Sequence, residues 1–324
     1  MHNSAVWATA QITGSRSIYR IGTRGSALAL YQAGLVRDRL RATHALTADD
    51  AVELVPIRTT GDRVQTGLLA EIGGKGLFTK EIDEALLDGR IDLAVHSLKD
   101  METRLAAGLE IGCVLPREDP RDALVSSGGV PLANLPRGAR VGTASPRRTA
   151  QLLRLRPDLS IVATRGNVDT RLNKLATGEV DALVLALCGL ERLGKRDIVS
   201  EILSPERMLP AVGQGALAIE CRADDAEVRR LLAALNDMAS AACVAAERAM
   251  LAALDGSCRA PIAGLATISG DRLSLVALFL SNDGKTERRG RSEGAIADAV
   301  ELGTDLGMRL REAAGREFAL GARN

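Results

Sequence analysis

Two stretches decide the fold: Arg20-Ile21-Gly22-Thr23-Arg24-Gly25-Ser26, and its later echo Val141-Gly142-Thr143-Ala144-Ser145-Pro146-Arg147-Arg148. In each, an apolar strand runs into a Gly-Thr pair and small residues, and a helix follows. The first reads as a strand over 18–21, a loop over 22–26 and a helix from 27 to about 41. Its apolar residues are Leu28, Leu30, Tyr31, Leu35 and Leu40. Ser26 suits the N-cap, and Pro146 suits the first turn of the second helix. Such turns aim free N–H groups and the positive end of a helix dipole at one spot, beside Arg24 in one case and Arg147 and Arg148 in the other. That suits an anion, and an ordinary turn with a solvated arginine fits the same residues. A second echo supports the first: Gly89-Arg90-Ile91-Asp92 precedes one buried strand, and Gly178-Glu179-Val180-Asp181 precedes another over 182–187.

Between the echoes the chain reads as further α/β units. A strand over 52–57 is followed by a loop over 59–62 and by Ile72-Gly73-Gly74-Lys75-Gly76-Leu77-Phe78, whose glycines fit a flap carrying Lys75 or a long loop. A helix over 79–87 leads to a strand over 91–96, which runs straight into Ser97-Leu98-Lys99-Asp100. Ligands of open parallel sheets bind just past the carboxyl ends of the strands. Asp100 and Lys99 stand at such an end, where the acid can meet a substrate N–H and the cation a substrate carboxylate; an exposed ion pair at a turn is the alternative. The proline-flanked charged run over 116–122 reads as a linker. Strands over 139–142 and 160–163 follow, the latter ending in Thr164-Arg165-Gly166-Asn167, with Arg171 one helical turn beyond. Arg147, Arg148, Arg165 and Arg171 are thereby expected to gather at one end of the second unit. Arginine recognises carboxylates in a bidentate way, so such a group points to a ligand with several carboxylates or phosphates; each arginine alone reads as a solvated surface residue.

Residues 208–216 read as a second crossing, and a strand over 216–221 is expected to complete the first sheet. Two crossings between two lobes make a hinge. An Ala-rich helix over 237–254 then leads to Gly256-Ser257-Cys258-Arg259-Ala260-Pro261-Ile262-Ala263-Gly264. Beyond it, strands over 265–269, 273–281 and 286–290 and a helix over 296–313 predict a small α+β domain. The expected organisation is α/β, with a discontinuous first domain (1–115 and 216–235), a second domain (116–215) and a third (236–324) that carries Cys258.

Composition narrows the function. The 324 residues hold 42 Lys plus Arg against 41 Asp plus Glu, which argues against a nucleic-acid binder working through a global basic field. Aromatic residues are 2% of the chain, too few for base-stacking platforms. The five cysteines, Cys113, Cys188, Cys221, Cys243 and Cys258, are odd in number and form no CxxC pair, so neither a disulfide framework nor a zinc cluster is indicated. His2, His44 and His96 supply few metal ligands. Residues 1–16 lack the apolar centre of a signal peptide, and no apolar run has membrane-spanning length. A monomer in the reducing cytoplasm is expected, with a small-molecule substrate and neither nucleic acid nor membrane as partner.

Taken together these motifs resemble the porphobilinogen deaminase family. The resemblance is carried by 20–26, 73–78, Val95-His96-Ser97-Leu98-Lys99-Asp100, Arg117-Glu118-Asp119-Pro120-Arg121-Asp122-Ala123, 141–148, Arg165-Gly166-Asn167 with Thr170-Arg171-Leu172, 209–222 and the Cys258 loop, in order from about residue 18 to the C-terminus. It implies two lobes like type II periplasmic binding proteins with the active cleft between them, and a third domain whose Cys258 carries a dipyrromethane through a thioether. It implies a transferase that adds four porphobilinogen units to this primer, losing ammonia each time, and releases hydroxymethylbilane for tetrapyrrole synthesis. Asp100 is then the catalytic carboxylate. Ser26, Lys99, Thr143, Ser145, Arg147, Arg148, Arg165 and Arg171 hold the acetate and propionate groups of the cofactor. Arg24, Gln32, Lys75, Arg147 and Arg165 meet the substrate.

The sequence departs from the family at Met101-Glu102-Thr103-Arg104, which lacks the usual prolines, and at Glu71, where a lysine often stands. Two other classes are open to the same residues. A two-lobed binding protein without catalysis lacks a use for the Cys258 domain, and a cysteine hydrolase needs a histidine partner for which only three candidates exist.

Overall fold

A computed structural model describes residues 18–46, 51–63, 79–254 and 260–314. The opening unit is strand β1, Tyr19–Arg24, and helix α1, Ala27–His44. The strand continues past 21 because Gly22, Thr23 and Arg24 pair with Val55, Pro56 and Ile57 of β2, Val52–Ile57. A side chain is excluded at Gly22, where a Cβ would lie 2.2 Å from Ile91 Cδ1. Ser26 caps α1 by accepting from the Ala29 N–H at 3.3 Å.

Where the sequence predicts a loop after β2, the chain makes a single turn of helix, α2, Thr60–Arg63. Its first residue donates through both N–H and hydroxyl to Glu81 Oε1, at 2.8 and 2.5 Å. Helix α3, Lys80–Leu87, strand β3, Leu93–Ser97, and strand β4, Leu109–Val114, complete this run. The chain then crosses over.

The second run is β5, Asp122–Ser126; β6, Arg140–Gly142; α4, Pro146–Leu155; β7, Ser160–Val162; α5, Val168–Ala176; β8, Ala182–Ala186; α6, Leu187–Arg192; and β9, Glu201–Leu203. It crosses back into β10, Leu217–Arg222, and α7, Ala226–Ala233. One five-stranded sheet has the order β2-β1-β3-β10-β4 and the other β7-β6-β8-β5-β9. The strand after each crossing is inserted antiparallel to both its neighbours: β10 between β3 and β4, β5 between β8 and β9. Two α/β lobes of one topology result.

The echoed Gly-x-x-Asp segments do the same job in both lobes. Asp92 accepts from the Arg20 backbone N–H and guanidinium, and Asp181 accepts from those of Arg140. Each carboxylate so fixes the start of one parallel strand against the next. Inside the first lobe Ile21, Val36, Leu40, Leu93 and Ile219 are wholly buried, each worth about 1.5–3 kcal/mol of transfer free energy.

The third unit is helix α8, Met238–Ala253, the antiparallel sheet β11-β12-β13 (Ile262–Ser269, Arg272–Leu280, Glu287–Ala295) and helix α9, Ala299–Ala314. It packs on both lobes. Val244 of α8 joins Leu98, Met101, Val114 and Ala218 of the first. Ala263, Leu278 and Leu280 join Ala150 of α4 and Leu209. The β12–β13 turn presses on α4 so closely that a Cβ at Gly284 would be 2.2 Å from the Ala150 carbonyl oxygen.

Glu247 of α8 ties these parts together. It is fully buried and accepts from Arg117 of the first crossing (2.5 and 3.2 Å), Gly213 N of the second (2.7 Å) and Ala266 N of β11 (2.8 Å). Removing one partner of a buried pair strands the other charge. Glu247→Leu is therefore expected to cost about 3–5 kcal/mol, read as a lowered urea midpoint against the parent protein.

Candidate active site

Asp100 ends a short 3₁₀ turn, Leu98–Asp100, that continues directly from β3. Leu98 and Met101 on either side are buried, which fixes the turn, while Asp100 is exposed. Asp100 lines a cavity of about 60 Å³ with Arg24, Ser26, Gln32, His96 and Ser97. Its carboxylate has no hydrogen bond or ion pair among the described residues. Gln32 is buried and spends its amide on Ser97, donating to Oγ at 2.9 Å, so it holds the end of β3 against α1.

Lys99 keeps part of its surface open, yet enough protein surrounds it that desolvation lowers its ammonium pKa. The Asp100 carboxylate opposes that fall and Arg148 adds to it. Lys99 Nζ donates to Gln214 Oε1 at 3.4 Å. Gln214 is fully buried and gives its own amide hydrogens to Pro120 O (2.6 Å) and Asp122 Oδ1 (2.9 Å). Two acceptors on the nitrogen side leave the oxygen facing the lysine.

The second lobe divides the arginines that the sequence reading puts together. Thr143 is buried and accepts from Ser145 N, and Ser145 caps α4 by accepting from Arg148 N. Arg147 and Arg148, in the first turn of α4, point inward. Arg147 donates to Asp122 Oδ2 (2.7 Å) and Leu209 O (2.8 Å), and Arg148 to Asp122 Oδ1 (2.8 Å) and Val184 O (2.9 Å). Arg147 Nε is buried with no hydrogen-bond partner among the described residues. The cause is Asp122, which the linker reading of 116–122 hides. It is the fully buried first residue of β5 and must be paired there. Burial raises its pKa, but the two guanidinium groups outweigh burial and hold it well below the usual carboxylate range.

Arg165 and Arg171 stay at the rim. Arg171 donates from Nε to Gly166 O at 2.9 Å. Burial, and then Arg148, bring its pKa down to about 10, against the pull of Asp100. Arg165 has no hydrogen-bond or ion-pair partner among the described residues. Lys99 and Asp100 of one lobe thus share a field with Arg148 and Arg171 of the other. Lys75 and Cys258 lie outside the described residues. Among the described residues, no group of three or more His, Cys, Asp or Glu side chains is placed to hold a metal ion, and no helix is long and apolar enough to cross a membrane.

Sequence reading misses Asp122 and Gln214. The signal for Gln214 is its flanking glycines. Gly213 and Gly215 have φ of 71° and 90°, and a Cβ would meet Leu98 Cδ2 at 2.0 Å and Glu118 O at 2.4 Å. Only glycine admits that path, and it delivers Gln214 to the crossing.

A family model described as porphobilinogen deaminase, dipyromethane cofactor binding domain, matches residues 19–230. The chain belongs to the porphobilinogen deaminase family. A second model, porphobilinogen deaminase, C-terminal domain, matches residues 241–312. A porphobilinogen deaminase of Paracoccus denitrificans is 54% identical over 299 residues, covering 92% of this chain and 95% of the relative. One of Nitrobacter hamburgensis is 52% identical over 298 residues, covering 92% and 94%. Among solved structures, a ligand-binding component of an ABC-type import system from Staphylococcus aureus aligns at TM-score 0.39 and 12% identity, over 72% of this chain and 73% of that one.

The Asp122 pairing gives a pH signature. A depressed carboxylate contributes stability that is present above its unfolded pKa of about 3.9 and lost as pH falls toward the folded value. Asp122→Asn is expected to lose about 3–5 kcal/mol at pH 7. Urea unfolding of both proteins should show the gap narrowing below pH 4; a constant gap contradicts the pairing.

Proposed function

We propose that this chain joins four porphobilinogen molecules head to tail, releasing ammonia and giving hydroxymethylbilane, on a dipyrromethane primer held by a thioether at Cys258. The observation that carries the reading is cationic charge that forms no ion pair among the described residues, around one carboxylate that forms none either. Arg165 has no hydrogen-bond or ion-pair partner among the described residues, and Lys99 and Arg171 are desolvated beside Arg148. Such a site favours an anion that brings several carboxylates. A pyrrole chain with acetate and propionate arms on every ring fits that donor set. When bound, the dipyrromethane supplies a nucleophilic pyrrole carbon at which the chain grows.

The protein's own groups divide the remaining work. Arg165, Arg171 and Lys99 take carboxylates, with Arg24 and the N-caps Ser26 and Ser145 at the two helix starts. Arg147 and Arg148 act from behind them, as fixed charge locked onto Asp122. Asp100 faces the ring N–H groups. As ammonia leaves the aminomethyl carbon, positive charge spreads into the ring, and an ionised carboxylate at hydrogen-bond distance stabilises it. Four of the five cysteines, Cys113, Cys188, Cys221 and Cys243, are buried free thiols. That composition accords with a reducing, cytoplasmic compartment.

Intact mass is expected to exceed the sequence mass by a two-pyrrole unit, and Cys258→Ser should remove the excess; an active protein of unmodified mass rules the reading out. Asp100→Ala should keep the fold and lose about 10²–10⁴ in kcat. For Arg165→Ala a rise of about 10–100-fold in KM is expected, measured by initial rates, because a charged hydrogen-bond donor is worth about 1.5–3 kcal/mol.

A further inference from the structure

Helix α8 reaches from the third unit to the segment that carries Asp100. Arg248 Nη2 donates to two successive carbonyl oxygens there, Glu102 O at 2.9 Å and Thr103 O at 3.0 Å. One turn earlier on the helix, Val244 packs with Leu98 and Met101, which flank Lys99 and Asp100. Arg248 is itself half-buried. Burial lowers its pKa, and the Glu220 carboxylate of β10 opposes the fall. A desolvated guanidinium with a countercharge on one side and two carbonyls on the other is held in place.

Leu105, just beyond this contact, packs against the same apolar cluster as Leu98, Met101 and Val244. Met101 N donates to Leu98 O and closes the 3₁₀ turn. Beyond Thr103, Arg104 and Leu105 make no hydrogen bond among the described residues. The exit from the Asp100 turn is held by the apolar seat of Leu98, Met101 and Leu105 together with the arginine. A seat of that kind fixes depth. Two carbonyl acceptors on one guanidinium nitrogen also fix rotation about the strand axis, and so the direction in which the Asp100 carboxylate faces.

We propose that Arg248 is a positioning residue for the reaction, clamping the Glu102 and Thr103 carbonyls to α8 and thereby aiming the Asp100 carboxylate at the substrate. This rests on the role given to Asp100 above. Arg248 touches no reacting atom, and the competing role is simple fastening of the third unit to the first lobe.

The test uses the full-length holoenzyme. Arg248→Met keeps most of the aliphatic stem and removes the donors. Expected are a fall in kcat of about 10–100-fold in the folded variant, a KM within about twofold and an unchanged two-pyrrole mass excess, with some loss in the urea midpoint because Glu220 loses its countercharge. Hydrogen exchange across 98–105 should become faster under native conditions. R248K, which keeps a donor at the same place, should lose only about threefold to tenfold in kcat. Simple fastening predicts a lowered midpoint with wild-type kcat in the folded protein; wild-type kcat in R248M, or unchanged exchange across 98–105, overturns the proposal. If R248M does not fold, R248K carries the test with the same readouts. Retained turnover in Asp100→Ala would sink the Asp100 assignment itself, whatever the Arg248 variants do.

Discussion

A carboxylate with no access to water governs the middle of this molecule. Asp122 begins β5 where the chain enters the second lobe, and burial there is tolerable only with opposite charge in contact. Arg147 and Arg148 supply it from the first turn of α4, and Gln214 adds a donor from the other crossing. The start of α4, the entrance to β5 and the returning strand are thereby held at one point. The Gln214 oxygen is then the side of that amide left for Lys99. A single desolvated charge fixes the placement of groups from both lobes.

This partition explains how a chain of net charge +1 keeps cationic charge near Asp100. The arginines do not form a uniform patch. Some are consumed inside by Asp122, Glu247 and Glu118. Others, Arg165 and Arg171 among them, have one acceptor or none among the described residues. The buried ones still contribute field, since Arg148 depresses the pKa of both Lys99 and Arg171. Paired charge inside and spare charge at the rim come from the same residue type, and only three-dimensional neighbours distinguish them.

That is also where sequence reading stops. The two βα units, the echoed Asp92 and Asp181, the return of β10 to the first sheet and the small α+β unit are legible, because each rests on local periodicity, capping or turn chemistry. Asp100 is legible because it follows a buried strand directly. Strand β5 is not, because its first residue completes a run of charges that looks solvated, and a run of charges says nothing about which member is buried. Strand β1 is read too short because a glycine inside a strand reads as a turn; Gly22 is there to clear Ile91. The inward turn of Arg147 and Arg148 is illegible for the reason that Asp122 is, since a long-range ion pair leaves no mark in either segment.

The close approach of Gly284 to α4 has a mechanical meaning. The third unit grips the second lobe through that turn and the first lobe through α8. The two lobes are thereby tied three times, twice by chain and once by packing through the third unit. Any change in the angle between them has to be absorbed in the third unit's contacts as well as in the crossings. Side-chain bulk at position 284 would push the β12–β13 turn off α4, a misfit that starts at a contact made by none of the residues lining the cavity at Asp100.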